Sequence, residues 1–191
     1  RAAPQGASAP PERANTGAAV ERAARLLFSE RRLVTHRGED VAFYSDVLKD
    51  HVVLINFVFT HCTDTCPTQT AKMAAVQALI DGPANRNVRL VSISVDPDRD
   101  TPDVLARYAA SFHATPRWTF LTGTRRDIDD VLRRLGQSSA DPRLHTALFI
   151  AGNVATGHWL RLHPDATPAV IAMQLGMLAA ERPPNHAHAR R

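Results

Sequence analysis

The chain has 191 residues, 44% of them hydrophobic, enough for one core and short for two domains. Its 23 Lys and Arg against 19 Asp and Glu leave a formal charge of +4. Arg1, Arg190 and Arg191 stand at the ends, the other basic residues are scattered, and no basic run is interleaved with aromatics, so nucleic acid is not an expected partner. No stretch approaches the ~18 consecutive apolar residues of a membrane span. The chain opens on Arg1 and not on methionine, so an upstream segment is expected to have been removed by processing or by design, and a signal peptide or anchor is one thing it can have carried.

Residues 1–18, RAAPQGASAPPERANTGA, offer almost nothing to bury, which predicts a disordered lead, and residues 182–191, RPPNHAHARR, predict a tail of the same kind. One folded domain is expected over 19–181. LVTHRGEDVAFY (33–44) reads as two short strands around a turn at Gly38, an N-terminal β-hairpin. VVLINFVF (52–59), interrupted only by Asn56, and VRLVSISV (88–95) are dense in β-branched residues and read as central strands buried on both faces.

Each of these runs precedes a helix. PTQTAKMAAVQALI (67–80) has Pro67 in its first turn and Met73, Val76, Gln77 and Ile80 on one side. TPDVLARYAASF (101–112) has Thr101 as cap, Pro102 behind it, and Val104, Leu105, Tyr108 and Phe112 at helical spacing. WTFL (118–121) is a short strand, TRRDIDDVLRRLG (124–136) a helix closed by Gly136, and TALFI (146–150) a third apolar strand. HWLRLH (158–163) is expected to pair with that strand as a hairpin across Gly152, Asn153 and Gly157, before a last helix over TPAVIAMQLGMLAAE (167–181). Strands alternating with helices imply an α/β class with helices on both faces of the sheet.

The two cysteines lie together in FVFTHCTDTCPTQT (57–70), in the loop between the first central strand and its helix. In α/β sheets, function gathers in the loops beyond the carboxyl ends of the strands. Pro67 disfavours the helical region for the residue before it, so Cys66 is expected to be extended and the helix to begin at Pro67. At positions four apart on a helix the β-carbons are ~5–6 Å apart, beyond the ~3.5–4.5 Å of a relaxed disulfide, and a loop can bring them closer. The helix N-terminus favours an anion beside it, so a thiolate is expected at Cys66. Such a pair exchanges with disulfides, binds a soft metal, or serves as two small buried hydrophobes.

The three-residue spacer TDT leans toward metal, and a two-thiolate site needs a further ligand. His61 adjoins Cys62 with its side chain expected to point away from it, while His186 and His188 belong to the tail. His145 follows the polar loop GQSSADPRL and opens the third apolar strand, close to the cysteine loop if the strands lie side by side; taken alone it reads as a solvated strand end. Asp64 reads as a turn residue, and SVDPDRDTP (94–102) as a strand end, a tight turn and a helix cap.

VVLINFVFTHCTDTCPTQT, then VSISVDPDRDTPDVLARYAASF, WTFLTG and LHTALFI, in that order over residues 33–180, resemble the Sco (SenC) family of copper-binding, thioredoxin-like proteins that help assemble cytochrome c oxidase. The resemblance implies a central mixed sheet flanked by helices, with His145 beside the cysteines where thioredoxins keep a cis proline. It implies that Cys62, Cys66 and His145 match the family's ligands for one copper ion, Cu(I) or Cu(II). It further implies a metallochaperone for the binuclear copper centre of cytochrome c oxidase. The expected partners are the copper-site subunit of that oxidase, other copper chaperones and thiol reductants.

The expected compartment is periplasmic or otherwise extracytoplasmic, with a membrane anchor in a missing N-terminal segment as one form. The alternative function is a thiol-disulfide oxidoreductase in which Cys62 or Cys66 attacks. Two positions depart from the family pattern: Thr63 stands where proline is common, and Leu144 where an aspartate often precedes the histidine.

Overall fold

The computed structural model describes residues 16–61, 65–137 and 148–182. Among these residues seven strands form one mixed sheet: β1 (Arg32–Thr35), β2 (Asp40–Ala42), β3 (Val52–Val58), β4 (Val88–Ser94), β5 (Trp118–Thr122), β6 (Phe149–Asn153) and β7 (His158–Leu162), in the order β2-β1-β5-β4-β3-β6-β7. The central strands β3, β4 and β5 pair in parallel, and every other pairing is antiparallel. Among the described residues five α-helices accompany the sheet: α1 (Thr16–Phe28), α2 (Thr65–Leu79), α3 (Pro102–Ser111), α4 (Arg125–Arg134) and α5 (Pro168–Ala180).

The two-residue period of a strand splits β3 between two cores. Val52, Leu54 and Val58 pack with Met73 and Val76 of α2, Leu105 of α3, and Ile171 and Leu175 of α5. Val53, Ile55 and Phe57 pack with Phe28 of α1 and Ile128 and Val131 of α4. Every residue of β3 is buried, as a parallel strand covered on both faces requires. The α/β class, the helices on both faces and the N-terminal hairpin β1–β2 thus agree with the sequence reading.

Four local features differ from it. Helix α1 opens at Thr16, inside the span expected as lead, and buries Ala24 and Phe28, four positions apart; residues 1–15 and 183–191 lie outside the described residues. Phe43–Leu48, after β2, forms a π-helical turn that buries Phe43, Tyr44, Val47 and Leu48. Helix α2 begins at Thr65, so the Cys66 backbone is helical where extended backbone was expected. The amides of a first turn have no intrahelical acceptor, so Pro67 loses nothing there, and the helix overrides the preference that proline sets for the residue before it.

The fourth difference is the end of β6. The strand runs through Gly152 to Asn153, and the turn follows at 154–157 with Gly157 at φ +72°. Gly152 pairs with Trp159 across the ladder, and a β-carbon on it would lie 2.1 Å from Cε3 of the indole. Glycine is there to admit the ring, not to turn the chain. Asn153 ends the strand with its Oδ1 accepting from Ala155 N at 3.0 Å and its Nδ2 donating to Leu178 O at 2.9 Å.

Candidate metal centre

Because β3 and β4 run in parallel with Val58 opposite Ser94, the chain leaves both strands at one edge of the sheet. From β3 it passes through Phe59, Thr60 and His61 into the cysteine segment and then into α2. β6 is antiparallel to β3, with Ile55 opposite Ile150, so β6 begins at the edge where β3 ends. Leu148, where the chain returns just before β6, packs against the same core cluster as Phe57 and Phe59. The fold therefore gathers at one edge the stretch before Cys62, the helical backbone of Cys66 and the return of the chain after 138–147. Cys62, the side chain of Cys66 and His145 themselves lie outside the described residues. Among the described residues no three His, Cys, Asp or Glu side chains are grouped to hold a metal.

What the structure does describe is how the start of the cysteine loop is held. Asp100, with no exposed surface, accepts at Oδ1 from Thr60 Oγ1 at 2.5 Å and at Oδ2 from Ser94 Oγ at 2.6 Å. The Thr60 amide is 3.5 Å from Oδ2. Ser94 Oγ in turn accepts from the Asp96 amide at 3.0 Å, and Arg125 bridges Asp96 and Asp98 at 3.2 and 2.6 Å. Burial pushes the Asp100 carboxyl above its usual range, and the hydrogen bonds from Ser94 and Thr60 pull against that shift.

The segment 94–102 is the strand end, turn and cap expected of it, with Thr101 Oγ1 accepting from Val104 N at 3.4 Å. It is also the anchor of the cysteine loop, a role the sequence reading missed because Thr60 and Asp100 are 40 positions apart. His61 is exposed, and its Nδ1 lies 3.2 Å from Thr60 Oγ1. Behind the loop, Gln69 Nε2 at 3.4 Å and Lys72 Nζ both donate to Pro164 O, tying the start of α2 to the connection between β7 and α5. The elements that flank the cysteines are thus fixed on two sides.

The arrangement agrees with comparisons of sequence and structure. The family described as SCO1/SenC matches residues 21–143. The mitochondrial SCO1 homolog of Homo sapiens is 39% identical over 112 residues, which are 56% of this chain and 35% of that protein. The chain spans less than half the length of the first sequence relatives it matches. Bradyrhizobium japonicum ScoI, solved with copper bound, superposes with a TM-score of 0.66 at 29% identity, covering 78% of this chain and 98% of that one.

BsSco, a member of the Sco family of cytochrome c oxidase assembly proteins in which a disulfide switch was identified, gives a TM-score of 0.68 at 26% identity over 81% of this chain and 94% of its own. The mixed sheet with helices on both faces is the thioredoxin-like fold of these structures. A family match over more than half the sequence, joined to that fold, places the chain in the SCO1/SenC family.

Proposed function

We propose that the protein is an extracytoplasmic copper metallochaperone that binds one copper ion through the thiolates of Cys62 and Cys66 and the neutral imidazole of His145. It delivers that ion to the copper-site subunit during assembly of the binuclear centre of cytochrome c oxidase. The observation that carries this reading is the convergence of the ends of β3 and β4, the start of α2 and the start of β6 at one sheet edge. Two thiolates and an imidazole suit Cu(I) by softness, and with a water or another donor they hold Cu(II). A structural zinc site needs four protein ligands, and this donor set supplies three. An incomplete donor set suits release by ligand exchange. No described helix is long and apolar enough to cross a membrane, so an anchor for the chaperone would belong to a segment outside them.

The test is anaerobic copper binding to the reduced chain, beside Cys62→Ser, Cys66→Ser and His145→Ala. The expected result is one tightly held copper that each substitution releases. Unchanged affinity and spectrum in His145→Ala would remove the histidine from the set. The disulfide switch identified in BsSco, a relative at 26% identity, favours a second reading in which the cysteine pair exchanges with partner disulfides. That reading expects a single-cysteine variant to trap a mixed disulfide with the partner.

A further inference from the structure

We propose that Met173 and Met177, one helical turn apart on the exposed side of α5, form a second Cu(I) site that works without the cysteines. The inference takes its choice of ion from the copper reading above and uses none of that reading's ligands.

Helix α5, PAVIAMQLGMLAA, has no charged residue. A helix that is apolar all round is ordinarily buried all round. This one buries Ile171, Leu175 and Leu178 in the core, while Met173 and Met177 are 55% and 60% exposed. The third methionine of the chain, Met73, is fully buried in the same core cluster, where a flexible apolar side chain serves as packing. The helix itself is held at both ends, with Thr167 Oγ1 accepting from Val170 N at 3.3 Å and Leu178 O accepting from Asn153 Nδ2 at 2.9 Å.

Positions four apart on a helix hold their β-carbons about 5–6 Å apart, and three rotatable bonds let each methionine turn its sulfur toward the other. Gly176, three positions after Met173, lies on the same side, and a β-carbon there would meet nothing within 4 Å. Space beside the two sulfurs is therefore open to an ion and one further small donor such as water. Ala169, Val170 and Ala180, all exposed, flank the pair. Gln174, the one polar side chain of α5, stands about 100° round the axis from Met173. The two thioethers are thus the donors on this face of the helix, and soft thioethers select Cu(I) over oxygen-seeking cations. Lacking a thiolate's charge, they hold the ion less tightly than a cysteine pair, but they have no proton to lose and form no disulfide.

Helix α5 starts from the sheet edge at which β3 ends. β7 finishes at Leu162 opposite Phe149, the first residue of β6, and Pro164 O, on the way to α5, accepts from Gln69 and Lys72 of α2. At a rise of about 1.5 Å per residue, Met173 and Met177 lie about 8 and 14 Å along the helix from Pro168. Copper held there is carried in addition to any ion on the thiolates, and it stays bound when the cysteines are paired with each other.

The test uses the full chain with Cys62→Ser and Cys66→Ser, which removes both thiolates, and methionine labelled with carbon-13 at the ε-methyl. Cu(I) is added anaerobically as its acetonitrile complex. One equivalent should shift the methyl signals of Met173 and Met177 together and leave that of buried Met73 in place. Met173→Leu should abolish the shift at Met177, and Met177→Leu the shift at Met173. Leucine keeps the size and apolar character of methionine, so the fold and any apolar contact survive while the sulfur is lost.

Unmoved methyl signals at Met173 and Met177 overturn the proposal and leave the copper reading of Cys62, Cys66 and His145 standing. A shift at Met177 that survives Met173→Leu overturns the paired site, and so does a dimer that forms when copper is added. Paired shifts in this variant, joined to an unsubstituted chain that holds copper no more tightly than the variant does, uphold the methionine site and overturn the copper reading.

Discussion

Replacing Asp100 with alanine tests whether a buried carboxylate holds the cysteine loop. The substitution removes two short hydrogen bonds to a charged acceptor, at 2.5 and 2.6 Å, and such bonds are worth about 1.5–3 kcal/mol each. Ser94, fully buried, keeps the Asp96 amide on its oxygen but is left with a hydroxyl proton that has lost its acceptor, a loss of about 1–3 kcal/mol. Thr60, partly exposed, can turn to water. Against these losses stands the relief of desolvating a carboxylate, several kcal/mol in a protein interior and the source of the upward shift at Asp100.

The balance is a destabilisation of about 2 kcal/mol for Asp100→Ala. Asp100→Asn keeps an oxygen for the Thr60 hydroxyl and needs no buried charge, so it loses about 1 kcal/mol or less. With a slope of about 2 kcal/mol per molar urea, the unfolding midpoint falls by about 1 M for alanine and about half that or less for asparagine. Amide exchange at Thr60 and His61 should quicken in Asp100→Ala while the centre of β4 stays protected. An alanine variant with an unmoved midpoint refutes the carboxylate's contribution. A lower midpoint with unmoved exchange at Thr60 makes Asp100 an anchor of β4 and α3 alone.

Two further outcomes follow from geometry elsewhere. Gly152→Ala puts a β-carbon 2.1 Å from the Trp159 ring and forces the indole off Phe28, whose ring centroid is 4.5 Å away; it should cost about 2–3 kcal/mol and shift the emission of Trp159, and an unaltered spectrum with an unaltered midpoint refutes it. The Glu181 carboxyl is held below its ordinary value of 4.5, first by the hydrogen bond from His158 Nδ1 at 2.5 Å and also by Thr156 Oγ1 at 2.8 Å, with burial opposing. A depressed carboxyl contributes stability that is present above the unfolded value and lost as pH falls through the folded one. Glu181→Gln should therefore be less stable than the unsubstituted chain by about 0.5 kcal/mol at neutral pH and equal to it once both carboxyl forms are protonated. Urea midpoints at neutral and strongly acidic pH check this, and a gap that persists in acid refutes it.

The parts of the fold legible in the sequence are those whose physics is local. Helices α3, α4 and α5 begin behind Thr101, Thr124 and Thr167, each of which accepts from an amide three residues on, and that capping chemistry is written in adjacent positions. Helix α1 escaped because its Ala-rich start continues the composition of the lead, although Ala24 and Phe28 mark its buried side. Gly152 misled because a glycine that turns the chain and a glycine that admits a cross-strand ring look alike until Trp159 is placed opposite it. The cysteine pair stands out in the sequence because both cysteines fall within seven consecutive residues, 60–66.

Asp100 was not legible in that way, and the missing quantity was register. A strand buried on both faces is apolar at nearly every position, so its pattern alone fits several pairings with a neighbour almost equally well. The two central runs are broken by few polar residues, and two of these, Asn56 and Ser92, stand opposite one another with Ser92 Oγ donating to Asn56 Oδ1 at 2.6 Å. Burying either residue against an aliphatic neighbour would leave a polar group unpaired at a cost of about 1–3 kcal/mol, so the pair selects the register. Trp118 Nε1 donates to the same hydroxyl at 2.8 Å and extends the selection to β5. Once Asn56 faces Ser92, Val58 must face Ser94. The chain leaving β3 then runs beside the chain leaving β4, and the third aspartate of DPDRD meets the threonine that precedes His61 and Cys62. Two polar interruptions in two apolar strands thus determine which carboxylate stands behind the cysteine loop.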